Sequence, residues 1–197
     1  DALPCIKKSF IGSGVRYDML LHRTGDKRLD EASDRYTEEL IRNHVSGRLK
    51  VAPEHTNDAV LKLMRKPSFK QFHDFKRIFD RINSRHNLKQ QIIPYFISSH
   101  PGSTVEAMAE LAAETKQLNF HLEQVQDFTP TPMTMATEMY YTGINPETGE
   151  NIYVARSMKD KEAQRRFFFW YKPEERKQIA QLLRRMGRND LVKKLGI

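Results

Sequence analysis

Ile92-Ile93-Pro94-Tyr95-Phe96-Ile97-Ser98-Ser99-His100-Pro101-Gly102 is an apolar run that ends in a polar turn containing proline and glycine. Its first seven residues are apolar on both faces, which suits a central strand of a parallel sheet, although Pro94 has no N–H to give to a ladder. Ser103 or Thr104 then caps an Ala- and Glu-rich helix that runs to about residue 118. The unit is therefore strand, turn, helix. Downstream, residues 122–128 (Leu-Glu-Gln-Val-Gln-Asp-Phe) alternate like a final strand.

The same unit recurs upstream. Residues 48–52 (Arg-Leu-Lys-Val-Ala) predict a strand ending at Pro53, and Asn57 caps a helix carrying Val60, Leu61 and Met64. Phe69, Phe72, Phe75, Phe79 and Ile82 predict an inserted amphipathic helix that breaks at Asn87. Tyr36, Leu40, Ile41 and Val45 predict a helix over 30–45, with Gly47 as its stop, and residues 5–11 predict a first strand running into Gly12-Ser13-Gly14. Four alternations of strand and helix predict an α/β fold, a partial TIM-like (β/α) barrel with parallel strands, whose sites lie at the strands' C-terminal ends.

After residue 128 a Thr- and Pro-containing loop and the turn Asn145-Pro146-Glu147-Thr148-Gly149 lead to a helical C-terminal tail. There Ala163, Phe167 and Trp170 share one helical face, Pro173 starts a helix, and Ile179, Leu182, Leu183 and Met186 form a stripe ending at Gly187. The chain divides into a partial-barrel portion, 1–143, and a basic helical segment, 144–197. The formal net charge of +8 resides in this tail, where residues 156–197 carry 13 basic and five acidic side chains. Either the tail packs on the barrel through its apolar stripes, or its basic and aromatic residues (Phe167-Phe168-Phe169-Trp170-Tyr171 beside Arg165-Arg166) bind nucleic acid or another partner.

A length of 197 residues is enough for one sizeable core, and no apolar run approaches the ~20 residues of a membrane span, so no membrane partner is expected. The opening Asp1-Ala2-Leu3-Pro4-Cys5 lacks an initiator Met and any signal pattern, which predicts a start inside a longer protein. One cysteine, Cys5, makes no internal disulfide, and the cytoplasm is the expected compartment. His44, His55 and His100 lack the spacing of a zinc site, so no metal ligands are assigned.

The strand ends collect Ser13 and Arg16; Glu54 and His55; Ser98, Ser99, His100 and Gly102; and Gln126 and Asp127. The turn at 98–104 either offers free amides to a carboxylate or phosphate or is an ordinary capped turn. Glu54 and His55 either hold a ribose hydroxyl or an amine or are polar surface beside a proline.

At these strand ends the chain resembles the YgiQ-like family of radical S-adenosylmethionine (SAM) proteins. The resemblance rests on Gly12-Ser13-Gly14-Val15-Arg16-Tyr17-Asp18, on GRLKVAPEHT at 47–56, PYFISSHPG at 94–102, QVQDFTPTP at 124–132 and MYYTG at 139–143, and it covers residues 5–171. It implies a radical SAM [4Fe–4S] enzyme, cleaving SAM reductively to a 5′-deoxyadenosyl radical that abstracts hydrogen from an unknown substrate; no catalytic residue is assigned. In the wider superfamily a strand-four Glu-Ser-Gly-Ser precedes a Val-Leu pair, and Glu54-His55-Thr56-Asn57 precedes Val60-Leu61 here, which implies Glu54 near the ribose or amino group of SAM. Residues 99–104 resemble the turn after strand five, implying backbone contact with SAM. Residues 124–128 resemble strand six, whose backbone faces the adenine, and Arg16 resembles an arginine after strand three. The resemblance thus gives Arg16, Glu54, His55, Ser98, Ser99, His100, Gly102, Gln126 and Asp127 as cofactor-binding. The family holds its cluster with three cysteines spaced C-x3-C-x2-C, and only Cys5 exists here. The chain thus resembles barrel strands three to six plus a C-terminal segment. Its expected partners are the missing N-terminal half of the same protein, which would hold the cluster, and a second copy paired through open strand edges.

Overall fold

The computed structural model describes residue 3 and residues 5–197; Asp1, Ala2 and Pro4 of the opening stretch lie outside the described residues. The chain divides into two compact units, Asp1–Pro53 with Phe69–Tyr95, and Glu54–Ser68 with Phe96–Ile197.

The first unit contains α1 (Tyr17–Leu21), α2 (Lys27–His44), most of β1 (Arg48–Glu54), α4 (Phe69–Arg85) and the start of β2 (Gln91–Ser98). Helix α2 begins at Asp26, whose carboxylate accepts from the amides of Arg28 (2.8 Å) and Leu29 (3.3 Å). Spacings of three and four put Phe69, Phe72, Phe75, Phe79 and Ile82 on one face of α4, and all five are buried. Tyr17 meets this face edge-on, its ring 5.9 Å from that of Phe72. Full burial of each such ring contributes about 2–3 kcal/mol.

The expected strand at residues 5–11 is absent. Ile6 and Phe10 are exposed and Lys7-Lys8 interrupts any alternation, so pairing this segment as a strand would bury little apolar surface; instead Ile11 N–H donates to His44 C=O (2.9 Å) at the end of α2. What remains is a single parallel bridge between Val15 and Val51, with Val15 N–H donating to Lys50 C=O at 3.2 Å. The architecture is accordingly an open three-stranded parallel sheet in the order β1-β2-β3, mixed with helices, and not a run of four βα units. β3 is also shorter than expected, Gln124–Asp127, and Phe128 N–H donating to Ser98 C=O (2.8 Å) aligns it with the last residues of β2. β2 alternates in burial instead of being buried on both faces, and Pro94 sits within it without ending it.

The second unit holds α3 (Asp58–Leu63), α5 (Val105–Gln117), β3, α6 (Met135–Thr142), α7 (Met158–Arg166), a 3₁₀ turn (Phe167–Phe169), α8 (Pro173–Arg185) and α9 (Asn189–Leu195). Asn57 caps α3, accepting from the amides of Ala59 (3.0 Å) and Val60 (3.3 Å), and Thr104 caps α5, accepting from Ala107 N–H (3.1 Å). Helix α6 was not anticipated from periodicity. The tail's aromatic run is core: Phe167 and Phe168 have no exposed surface, and Trp170 is buried with its indole N–H donating to Thr115 Oγ1 at 3.2 Å. These three rings are closed to stacking on a nucleic acid. No helix among the described residues is long and apolar enough to cross a membrane.

Candidate functional site

Two non-glycine residues at successive strand ends have left-handed backbone, Glu54 (φ +67°) closing β1 and Ser99 (φ +60°) just past β2. Arg65, Asn87 and Asn119, also left-handed, follow helix ends, where that conformation is customary. At Glu54 and Ser99 it costs about 1–2 kcal/mol each and re-aims the side chain at the sheet's C-terminal edge.

These same residues carry buried side-chain atoms without a hydrogen-bond partner among the described residues, Glu54 Oε2 and Ser99 Oγ. The other Glu54 oxygen pairs with Lys66 Nζ at 3.2 Å, which balances the carboxylate's charge. A buried polar atom left unpaired costs about 1–3 kcal/mol, so strain and unmet hydrogen bonding coincide at both strand ends.

His55 has no exposed surface. Its Nδ1 accepts from the amides of Thr56 (2.9 Å) and Asn57 (3.0 Å), so the proton is on Nε2, which donates to Ser103 Oγ at 3.2 Å. Burial, with a smaller contribution from neighbouring His100, pushes its pKa down to about 3. His100 is also buried, and burial lowers its pKa, opposed by the hydrogen bond to Pro101 C=O. That bond, Nδ1–H to the carbonyl at 2.8 Å, leaves the Nε2 lone pair as an acceptor, while the ring packs edge-on against Phe128 at 5.0 Å.

Ser98 is buried, and its hydroxyl donates to Asp127 Oδ1. The other Asp127 oxygen accepts from Arg165 at 3.0 Å. Gln126 is exposed. Arg16 belongs to the other unit and makes a two-pronged pair with Asp18 (2.8 and 2.6 Å). Thus His55, Ser98, Ser99, His100, Gly102 and Asp127 gather with Glu54 in one unit.

The turn at 98–104 is not the open amide cradle that its composition suggests. Ser99 N–H donates to Gln164 Oε1 (2.8 Å), Gly102 N–H to Tyr153 C=O (2.8 Å) and Ser103 N–H to His100 C=O (2.8 Å), so these amides are already occupied. Gly102 serves instead as space: at φ +85° its absent Cβ would lie 2.4 Å from Leu63 Cδ1. The unpartnered atoms are a carboxylate oxygen, which accepts, and a serine hydroxyl, which accepts and donates, a set suited to a ligand carrying N–H and O–H groups.

Sequence reasoning missed Gln164, Ser103 as more than a cap candidate, and Lys66. The signal for Gln164 was present: it stands three and four residues before the buried Phe167 and Phe168, and it, not Ala163, is the fully buried member of that face.

A family described as a domain of unknown function (DUF3362) matches residues 123–194. Over 195 residues, 99% of this chain, the sequence is 67% identical to a UPF0313 protein of Bacteroides thetaiotaomicron and 63% identical to one of Porphyromonas gingivalis, covering 32% and 31% of them. A UPF0313 protein of Methanocella arvoryzae is 40% identical over 190 residues, 96% of this chain and 30% of that relative. The chain spans about a third of the length of these curated relatives.

Proposed function

The chain belongs to the UPF0313 (YgiQ-like) family, and from that membership we propose that it is the C-terminal portion of a radical SAM enzyme and lines part of the SAM pocket. The observation that carries this reading is the coincidence, at Glu54 and Ser99, of left-handed backbone with a buried, unpartnered side-chain oxygen. SAM presents an ammonium and two ribose hydroxyls, and the available groups are a carboxylate oxygen, a serine hydroxyl and the Nε2 lone pair of neutral His100, so the donor and acceptor sets are complementary. Glu54 would take the ammonium or the ribose, with Lys66 holding its other oxygen in place. Bound beside a reduced [4Fe–4S] cluster, SAM supplies hydrogen-atom abstraction from substrate. The residues here bind and orient it. The cluster does not fit this chain: one exposed cysteine, Cys5, stands against the three thiolates required, so its ligands are assigned to the rest of the full-length protein.

Calorimetric titration of SAM into the anaerobically reconstituted full-length protein tests the reading. Wild type should bind SAM and release 5′-deoxyadenosine with reductant, and Glu54→Gln should bind about tenfold or more weakly through loss of a charged hydrogen bond. A reconstituted wild type that neither binds nor cleaves SAM overturns it.

A further inference from the structure

Gln164 is fully buried on α7 and uses both ends of its amide. Oε1 accepts from Ser99 N–H (2.8 Å) and from Ser103 Oγ–H (3.0 Å), and Nε2 donates to Ser103 C=O (2.7 Å). Two bonds accepted by Oε1 and one donated by Nε2 determine the orientation of the amide. Ser103 Oγ, while donating to Gln164, accepts from His55 Nε2–H, so one chain of hydrogen bonds joins the end of β1, the turn after β2 and α7.

We infer that Gln164 is the positioning residue of the strand-end turn, and that the region matching DUF3362 holds the SAM-facing residues in place through it; this rests on the SAM reading above. Ser99 stands in a left-handed conformation that needs support from its surroundings, and Gln164 supplies the acceptor for its amide. It also holds both the hydroxyl and the carbonyl of Ser103. Without it, one backbone donor (Ser99 N–H) and one backbone acceptor (Ser103 C=O) of the turn are left buried and unmet, and Ser99 relaxes toward ordinary backbone, carrying its Oγ away from the ligand. Gln164 itself touches no ligand in this scheme.

The test compares three variants of the full-length protein. Gln164→Met keeps volume and removes all three bonds; Gln164→Glu keeps the accepting pair and loses the donated bond; Leu183→Ala opens a cavity at a buried position of α8 as a control for stability alone. SAM affinity is measured by calorimetry, and hydrogen exchange of the peptide containing Ser99 by mass spectrometry. Expected are SAM binding about tenfold or more weaker and Ser99 exchange about tenfold or more faster in Gln164→Met, a smaller effect in Gln164→Glu, and neither in Leu183→Ala at a comparable fall in Tm. Unchanged Ser99 exchange in Gln164→Met overturns the inference whatever happens to SAM, as does a Leu183→Ala variant that loses SAM affinity equally. Wild type that fails to bind SAM, with Ser99 exchange still accelerated in Gln164→Met, overturns the SAM reading and confines Gln164 to holding the turn.

Discussion

Acidification should destabilise this chain through His55. Burial is the main cause of the lowered pKa, neighbouring His100 adds to it, and the geometry agrees: a proton on Nδ1 would face the Thr56 and Asn57 amides, donor against donors. The folded ring stays neutral to about pH 3, whereas the unfolded one takes its proton near 6.5. Between those values the unfolded state binds more protons, so stability is full above pH 6.5 and falls as pH falls, by up to about 1.4 kcal/mol per pH unit. The loss attributable to His55 is about 1.4 kcal/mol at pH 5.5 and about 2.7 kcal/mol at pH 4.5. His55→Asn provides the comparison, because an Asn oxygen at 55 accepts from the following amides in an Asx-type turn without titrating. Urea unfolding at pH 7.5, 5.5 and 4.5 should show the gap between wild type and variant narrowing by those amounts on acidification. His100 remains in both proteins and its contribution largely cancels. A gap that stays constant across this range, or a His55 ring resonance that titrates near 6.5, would refute the reasoning.

Gly102→Ala should cost about 1–2 kcal/mol from its left-handed φ alone, with a further clash against Leu63; combined with Leu63→Ala it should lose less than the two single losses added, as read from a urea double-mutant cycle. Phe72→Ala, at a ring with no exposed surface, should lose about 3–5 kcal/mol in denaturant unfolding. Thr104→Ala removes the cap of α5 and should lose about 1 kcal/mol, most of which Thr104→Asn restores.

Much of the helical framework was legible because its determinants act over three or four residues. The Phe69-to-Ile82 stripe, the caps Asn57 and Thr104, and Pro173 opening α8 are local patterns, and each is in place. The strands were less legible, since a strand exists only if a distant segment pairs with it: residues 5–11 have the composition without a partner ladder, and β3 keeps only the length over which β2 pairs. Of the candidate site, the polar residues at the strand ends were visible as a set, but not which of their valences are free.

By itself, then, the sequence determined the succession of helices from α2 to α5, the buried face of α4 and the polar character of the strand ends. Only the tertiary structure decided that Ser98 and Asp127 satisfy each other, that the turn's amides are occupied, and that Gln164, 65 residues from Ser99, closes the network, leaving Glu54 Oε2 and Ser99 Oγ unpaired. The physical reason is range: backbone propensity and capping are written in neighbouring residues, whereas the partner of a buried polar atom is set by whichever distant segment packs against it.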